Sequence, residues 1–171
     1  VELSLDFNDA IINALHNETD AAVRGSVGIR CYITEAQREP EWGWAMVNIA
    51  MHGPMLGTDT LYHIDDTIRR GMESGRFSVK SHQAGVDMLC GTIITGMSSV
   101  LTTKPSKTYA QEIAMMLLLS LGVDAADAEK IAYAKLPKLQ QVDRSHERSY
   151  LELSLASAKD GAAAMSETLR K

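Results

Sequence analysis

Basic charge is scarce in this chain. Its 171 residues carry 17 Lys and Arg against 22 Asp and Glu, a net charge of −5. Surfaces that hold nucleic acid gain affinity from cations placed on phosphates, so this balance has the wrong sign. The one tight basic pair, Arg69-Arg70, is too little for a nucleic-acid footprint. By itself the chain is not expected to hold DNA. Cysteine is equally sparse. Cys31 and Cys90 both sit inside apolar helical patterns, which favours two buried thiols over a disulfide and fits a reducing, cytoplasmic compartment. No basic stretch followed by an apolar run opens the chain, so no signal peptide is read. No run reaches the roughly 18 uninterrupted apolar residues of a membrane span, and no membrane partner is expected.

Catalytic motifs are missing as well. There is no GxSxG, HExxH, CxxC or GxxxxGK[ST] pattern. Gly25-Ser-Val-Gly28 is only a GxxG, inside a helical pattern with no strand before it, and does not read as a phosphate loop. None of the five histidines makes an i,i+4 pair. A metal site joining His52 and His63 through a turn competes with ordinary solvated or hydrogen-bonded histidines, and the second reading is preferred. Glu39 and Glu41 flank Pro40 at a helix junction, where they favour the positive helix start. No enzyme, metal or cofactor is expected.

What the chain has is helix. Strand alternation is absent, and an all-α, multi-helix orthogonal bundle is predicted. Helices are read over residues 2–17, 20–38, 41–52, 58–74, 81–101, 107–121 and 124–134. Thr19 or Asp20 would cap the second, and Pro40 suits the first turn of the third. Gly53-Pro54 marks a turn, and Gly75 reads as a left-handed cap with Phe77 folding back on the helix end. The second helix has apolar residues on two faces and looks central. The length suits one domain at 1–139. Residues 140–171 are read as an appended helix or semi-ordered tail.

Two features need a partner or a purpose. The helices at 81–101 and 107–121 each have two buriable faces. Leu89, Ile93, Met97 and Val100 make one stripe; Met88, Gly91, Thr95 and Ser98 make another. A helix resting on one core needs only one. A subunit interface supplies the second cover. Separately, Trp42, Trp44, Met46, Met51 and Met55 crowd into fifteen residues of a chain with 5% aromatics. Either they pack an ordinary core, or some line an adaptable apolar cavity.

At Asp66-Thr-Ile-Arg-Arg-Gly-Met-Glu-Ser-Gly-Arg-Phe77 the chain resembles TetR-family transcriptional regulators, in which a helix ends in such a glycine passage before two dimerisation helices. Gly91-Thr-Ile-Ile-Thr-Gly96, the Gly122-Val-Asp124 opening of a terminal helix and the Arg38-Glu-Pro-Glu41 break fit the same order. The resemblance runs from about residue 1 to 139. It implies the effector-binding and dimerisation domain of a repressor, with residues 3–15 as the helix that relays the ligand's effect. The start at Val1 inside a helical pattern, with no DNA-reading head, implies a fragment that reaches DNA only through a missing N-terminal domain. An all-helical interaction module without a ligand is the alternative.

The resemblance and the helical faces together yield residue-level expectations. In a homodimer, Met88, Gly91, Thr95 and Ser98 are expected to approach Ile113, Met116, Leu117 and Ser120 of a symmetry mate in a four-helix bundle. A small apolar effector is expected among Phe7, Ile11, Val27, Cys31, Thr34, Trp42, Met46, Met51 and Ile64. There Thr34 and the Trp42 N–H would orient it. The competing expectation is that these residues simply touch each other in a close-packed core.

Overall fold

The computed structural model describes residues 5–52 and 58–140. These form α1 (Leu5–Ala14), α2 (Ala21–Arg38), α3 (Pro40–His52), α4 (Thr58–Glu73), α5 (His82–Thr102), α6 (Tyr109–Ser120) and α7 (Ala125–Tyr133), with no strand among them. The expected turn at Gly53-Pro54, Met55 and the tail after Gln140 lie outside the described residues, as does the side chain of His52.

Local chemistry sets the boundaries. Of the two candidate caps, Asp20 is the one used: its carboxylate accepts from the Ala22 N–H at 2.8 Å. Ser81 caps α5 by accepting from the Ala84 N–H, and Asp124 caps α7 by accepting from Ala126 and Asp127. Pro40 opens α3, where its missing N–H costs nothing. Gly75, at φ 71°, ends α4. The Phe77 N–H then donates back to the Gly71 carbonyl at 2.8 Å. The Phe77 ring lies on Gly71, where a Cβ would stand 2.0 Å from it. The fold-back read from sequence is therefore enforced by a glycine that leaves room for the ring.

α2 runs through the middle, with every other helix packed on it. Ile29, Tyr32, Ile33 and Ala36 are fully enclosed. α5 crosses it so closely at Gly96 that a Cβ there would meet Ile33 Cδ1 at 2.5 Å. By length and composition α5 alone among the described helices could cross a membrane. In the fold its apolar residues instead pack on α2, α3, α4 and α6. Cys31 and Cys90 are buried, free thiols, and burial pushes Cys31 up to about 12 and Cys90 up to about 11.

Two arginines hold α7 at its ends. Arg30, buried on α2, donates to the carbonyls of Ile131 at 3.2 Å and of Ala134, both at the α7 C-terminus. A cation there also meets the negative end of the helix dipole. Arg76, in the turn after α4, bridges Asp20 at 2.9 Å and Asp127 at 2.5 Å. It thereby joins the α2 cap to the first turn of α7. The Ser78 N–H donates to the Leu121 carbonyl at 2.9 Å and ties the same turn to the α6–α7 junction.

Burial opposes ionisation of Asp20. The hydrogen bonds from Arg76 and Ala22, with the Arg76 charge, outweigh it, and its pKa falls below the ordinary 3.8. A depressed carboxylate stabilises the fold above its unfolded pKa, and that contribution is lost as pH falls through the folded value. Arg76→Ala is expected to cost about 0.5–1 kcal/mol at neutral pH, the range of partly exposed pairs. In urea titrations that cost should shrink well below pH 3.8. A cost that stays constant into strong acid would show that Arg76 acts through packing.

Candidate functional site

A cavity opens between α1, α2, α4 and α5. Its volume is about 50 Å³. Ile11, Ile12, Leu15, Ile64, Leu89 and Ile93 make the apolar walls, and Asn8, Arg24, Tyr32, Thr60, His63 and Thr67 bring polar atoms to it. Gly25 and Gly28 complete the α2 side.

The α2 contribution follows from helical spacing. Arg24, Gly25, Gly28 and Tyr32 fall at i, i+1, i+4 and i+8, one stripe of the helix. The two glycines leave that stripe bare. A Cβ on Gly28 would meet nothing within 4 Å, and one on Gly25 would make only ordinary contact with Leu89 at 3.7 Å. Glycine in a helix interior costs about 0.5–1 kcal/mol relative to alanine. Here that cost is not explained by crowding, because the space is open.

The polar groups differ in how they are satisfied. The Tyr32 hydroxyl and the Thr60 hydroxyl share a 3.2 Å hydrogen bond. Burial pushes the Tyr32 pKa up to about 12, so the phenol keeps its proton. Asn8 is 4% exposed, and its Nδ2 has no hydrogen-bond partner among the described residues. A buried amide left unpaired costs roughly 1–3 kcal/mol, so such a group calls for an explanation. Arg24 donates from one terminal nitrogen to the carbonyls of Leu15 and Glu18, each at 3.3 Å, while its buried Nε makes no bond among the described residues. Burial, and then the Arg24 charge, draws the His63 pKa below 6.5 against the pull of Asp66, Asp59 and Asp9.

Of the expected ligand residues, Ile11 and Ile64 line this cavity. Phe7 and Trp42 stand behind it. Their rings pack on Tyr32, with Phe7–Tyr32 centroids 5.2 Å apart and Tyr32–Trp42 centroids 6.0 Å apart, and Tyr32 faces the cavity. Val27, Cys31 and Met46 are buried in the core away from the lining. Thr34 is exposed on α2, and Met51 is 68% exposed at the end of α3. Sequence reasoning passed over Asn8, Arg24 and the glycine pair. The Gly25–Gly28 spacing was the available signal, as side chains withheld from a buried helix.

The expected dimer residues lie mostly on one outer face. Met88, Thr95, Met116 and Ser120 are exposed, Gly91, Ser98 and Ile113 half-buried, and a Cβ on Gly91 would meet nothing within 4 Å. Leu117 differs: it is buried in the chain's own core, and Leu119 is the exposed neighbour. Along α5 the hydroxyls of Thr92, Thr95 and Thr102 donate to the carbonyls of Met88, Gly91 and Ser98. Their hydrogen bonds are thus met within the helix.

The open space at Gly28 has a direct consequence. Gly28→Ala should raise stability by about 0.5–1 kcal/mol in denaturant titrations, through helix propensity and a less free unfolded chain. Gly85→Ala should do the opposite, because its Cβ would meet Ile68 Cγ2 at 2.9 Å. A loss of stability in Gly28→Ala would mean that no open space exists there.

A family model described as tetracyclin repressor-like, C-terminal domain, matches residues 20–134. Two solved structures of RolR have a similar fold. The structure without ligand is 22% identical with a TM-score of 0.67, covering 78% of this chain and 69% of the RolR chain. The complex with resorcinol is 22% identical with a TM-score of 0.68, covering 81% and 70%. No curated protein matches the sequence.

Proposed function

The chain belongs to the tetracyclin repressor-like C-terminal domain family, and on that premise we propose that it is the effector-sensing and homodimerising part of a repressor. The effector is a small, ring-bearing molecule held in the cavity between α1, α2, α4 and α5. The observation that carries this reading is Asn8: a buried side chain whose Nδ2 has no partner among the described residues, among apolar walls, beside a helix stripped of two side chains. Ligand sites are built this way, from apolar surface with a few orienting polar groups. RolR with resorcinol supports a one-ring ligand in this fold.

The size of the cavity suggests how binding becomes a signal. About 50 Å³ is well under the roughly 300–1,000 Å³ of common ligand sites. A ring enters only if a wall gives way. α1 supplies Asn8, Ile11, Ile12 and Leu15 to that wall, and it is the helix nearest the N-terminal side, where a DNA-reading head would attach. A ligand that binds better to the opened arrangement shifts α1 by that difference in affinity alone.

The dimer would use the outer faces of α5 and α6. Met88, Met116 and Leu119 expose apolar surface there, and the threonines between them have no hydroxyl left to satisfy. Such a stripe can be buried at little polar cost.

Two measurements test this. Melting of the 171-residue chain with a panel of one-ring compounds, resorcinol included, should reveal at least one stabiliser, worth about 2.7 kcal/mol at a hundred times its Kd. Gly28→Leu should abolish that shift. No shift from any compound would leave the all-helical interaction module as the better reading. Sedimentation should show a dimer at micromolar concentration that Gly91→Trp dissociates while its helical circular dichroism is retained. A monomeric parent chain would end the dimer proposal.

A further inference from the structure

We propose that the ligand is a small aromatic carboxylate, its anionic end on Arg24 and Asn8 and its ring against Ile11, Ile64 and Ile93. This rests on the cavity being the ligand site, and adds the charge and the polar end of what it takes.

The described arginines differ in how they are neutralised. Arg38 pairs with Glu35, Arg69 with Asp66 and Glu73, Arg70 with Asp66, and Arg76 with Asp20 and Asp127. Arg30 has no ion pair and its Nε has no partner among the described residues, but it donates to helix-end carbonyls and stands away from the cavity. Arg24 has no ion pair among the described residues, although it lines an apolar cavity and its Nε is buried. A desolvated cation is costly unless a counter-charge meets it.

The direction of its free donors matters as much as the charge. One terminal nitrogen is committed to Leu15 and Glu18. That leaves the Nε–H and the other terminal nitrogen, the planar edge that grips a carboxylate through two parallel hydrogen bonds. Asn8, whose Nδ2 is a donor without a partner among the described residues, lines the same cavity. His63 has its pKa drawn down and adds no competing positive charge at neutral pH. Asp66 is held by Arg69 and Arg70, while Asp9 and Asp59 are exposed to water. Arg24 and Asn8 thus bring to one apolar-walled cavity donors without a partner among the described residues and a cation without an ion pair. A carboxylate that reached them would satisfy both the donors and the charge; a neutral hydroxyl leaves the cation unmatched.

Calorimetry of the 171-residue chain with sodium benzoate and with benzyl alcohol, at fixed ionic strength, tests this. The two share a ring and differ in charge. Benzoate should bind at least about tenfold more tightly, as expected of a charge-assisted, two-pronged contact. Arg24→Gln should erase that preference, so that both compounds bind alike. Arg24→Gln also removes two bonds to the end of α1, so Asn8→Leu serves as a second variant. It should weaken benzoate binding while its melting temperature stays at or above that of the parent. Benzyl alcohol binding as tightly as benzoate would overturn the carboxylate inference and leave a site for neutral rings. Heat from neither compound would also overturn the carboxylate inference, while the cavity as a ligand site would fall only if the whole one-ring panel failed to stabilise the chain.

Discussion

The domain depends on burying α2 on almost every side. A helix enclosed all round cannot leave polar groups to water, so each one it carries must find a partner or a use. Most find a partner, though the buried Ser26 hydroxyl has none among the described residues. Arg30 reaches the last carbonyls of α7, Tyr32 reaches Thr60 on α4, and Glu35 accepts from Arg38 one turn on. The first two also carry a neighbour into position: α7 by its end, α4 by its first turn. The register of the bundle follows from satisfying one helix.

The same helix changes character along its faces. Where α5 crosses at Gly96, Ile33 fills the gap to sub-contact distance for any added Cβ. On the stripe through Arg24, Gly25, Gly28 and Tyr32 nothing fills it. Close packing is the default of protein interiors, so a void in an otherwise tight bundle has to be kept open by residue choice. Two glycines in a helix interior, each less favourable than alanine, are that choice.

This explains how far the molecule was legible in its sequence. Helix ends were readable because their signals are local: a capping Asp20, Ser81 or Asp124, a Pro40 start, a left-handed Gly75. The outer face of α5 and α6 was readable because period 3.6 separates one stripe from another. Leu117, expected on that face, is instead buried in the chain's own core. The cavity was less legible, because apolar periodicity marks what is buried but not what is empty. Large side chains such as Trp42 and Met46 fill space, and a search for them finds the packed core. A cavity is announced by what is missing, and Gly25-Ser-Val-Gly28 was weighed only as a phosphate loop and set aside.

The packing also holds the helices around the cavity unequally. α5 lends Leu89 and Ile93 to the cavity, yet it is locked to α2 at Gly96 and to α4 at Gly85, where added atoms would collide. α2 is held by α7 at both ends of that helix through Arg30 and Arg76. α1 has no such lock. It rests on α2 and α4, anchored near its start by the Phe7 ring in the Tyr32–Trp42 cluster. Its far end, at Leu15, is tied by the Arg24 guanidinium through a single 3.3 Å bond. The guanidinium that would meet the proposed ligand through one edge thus fastens the end of α1 through the other, and the two contacts share one side chain.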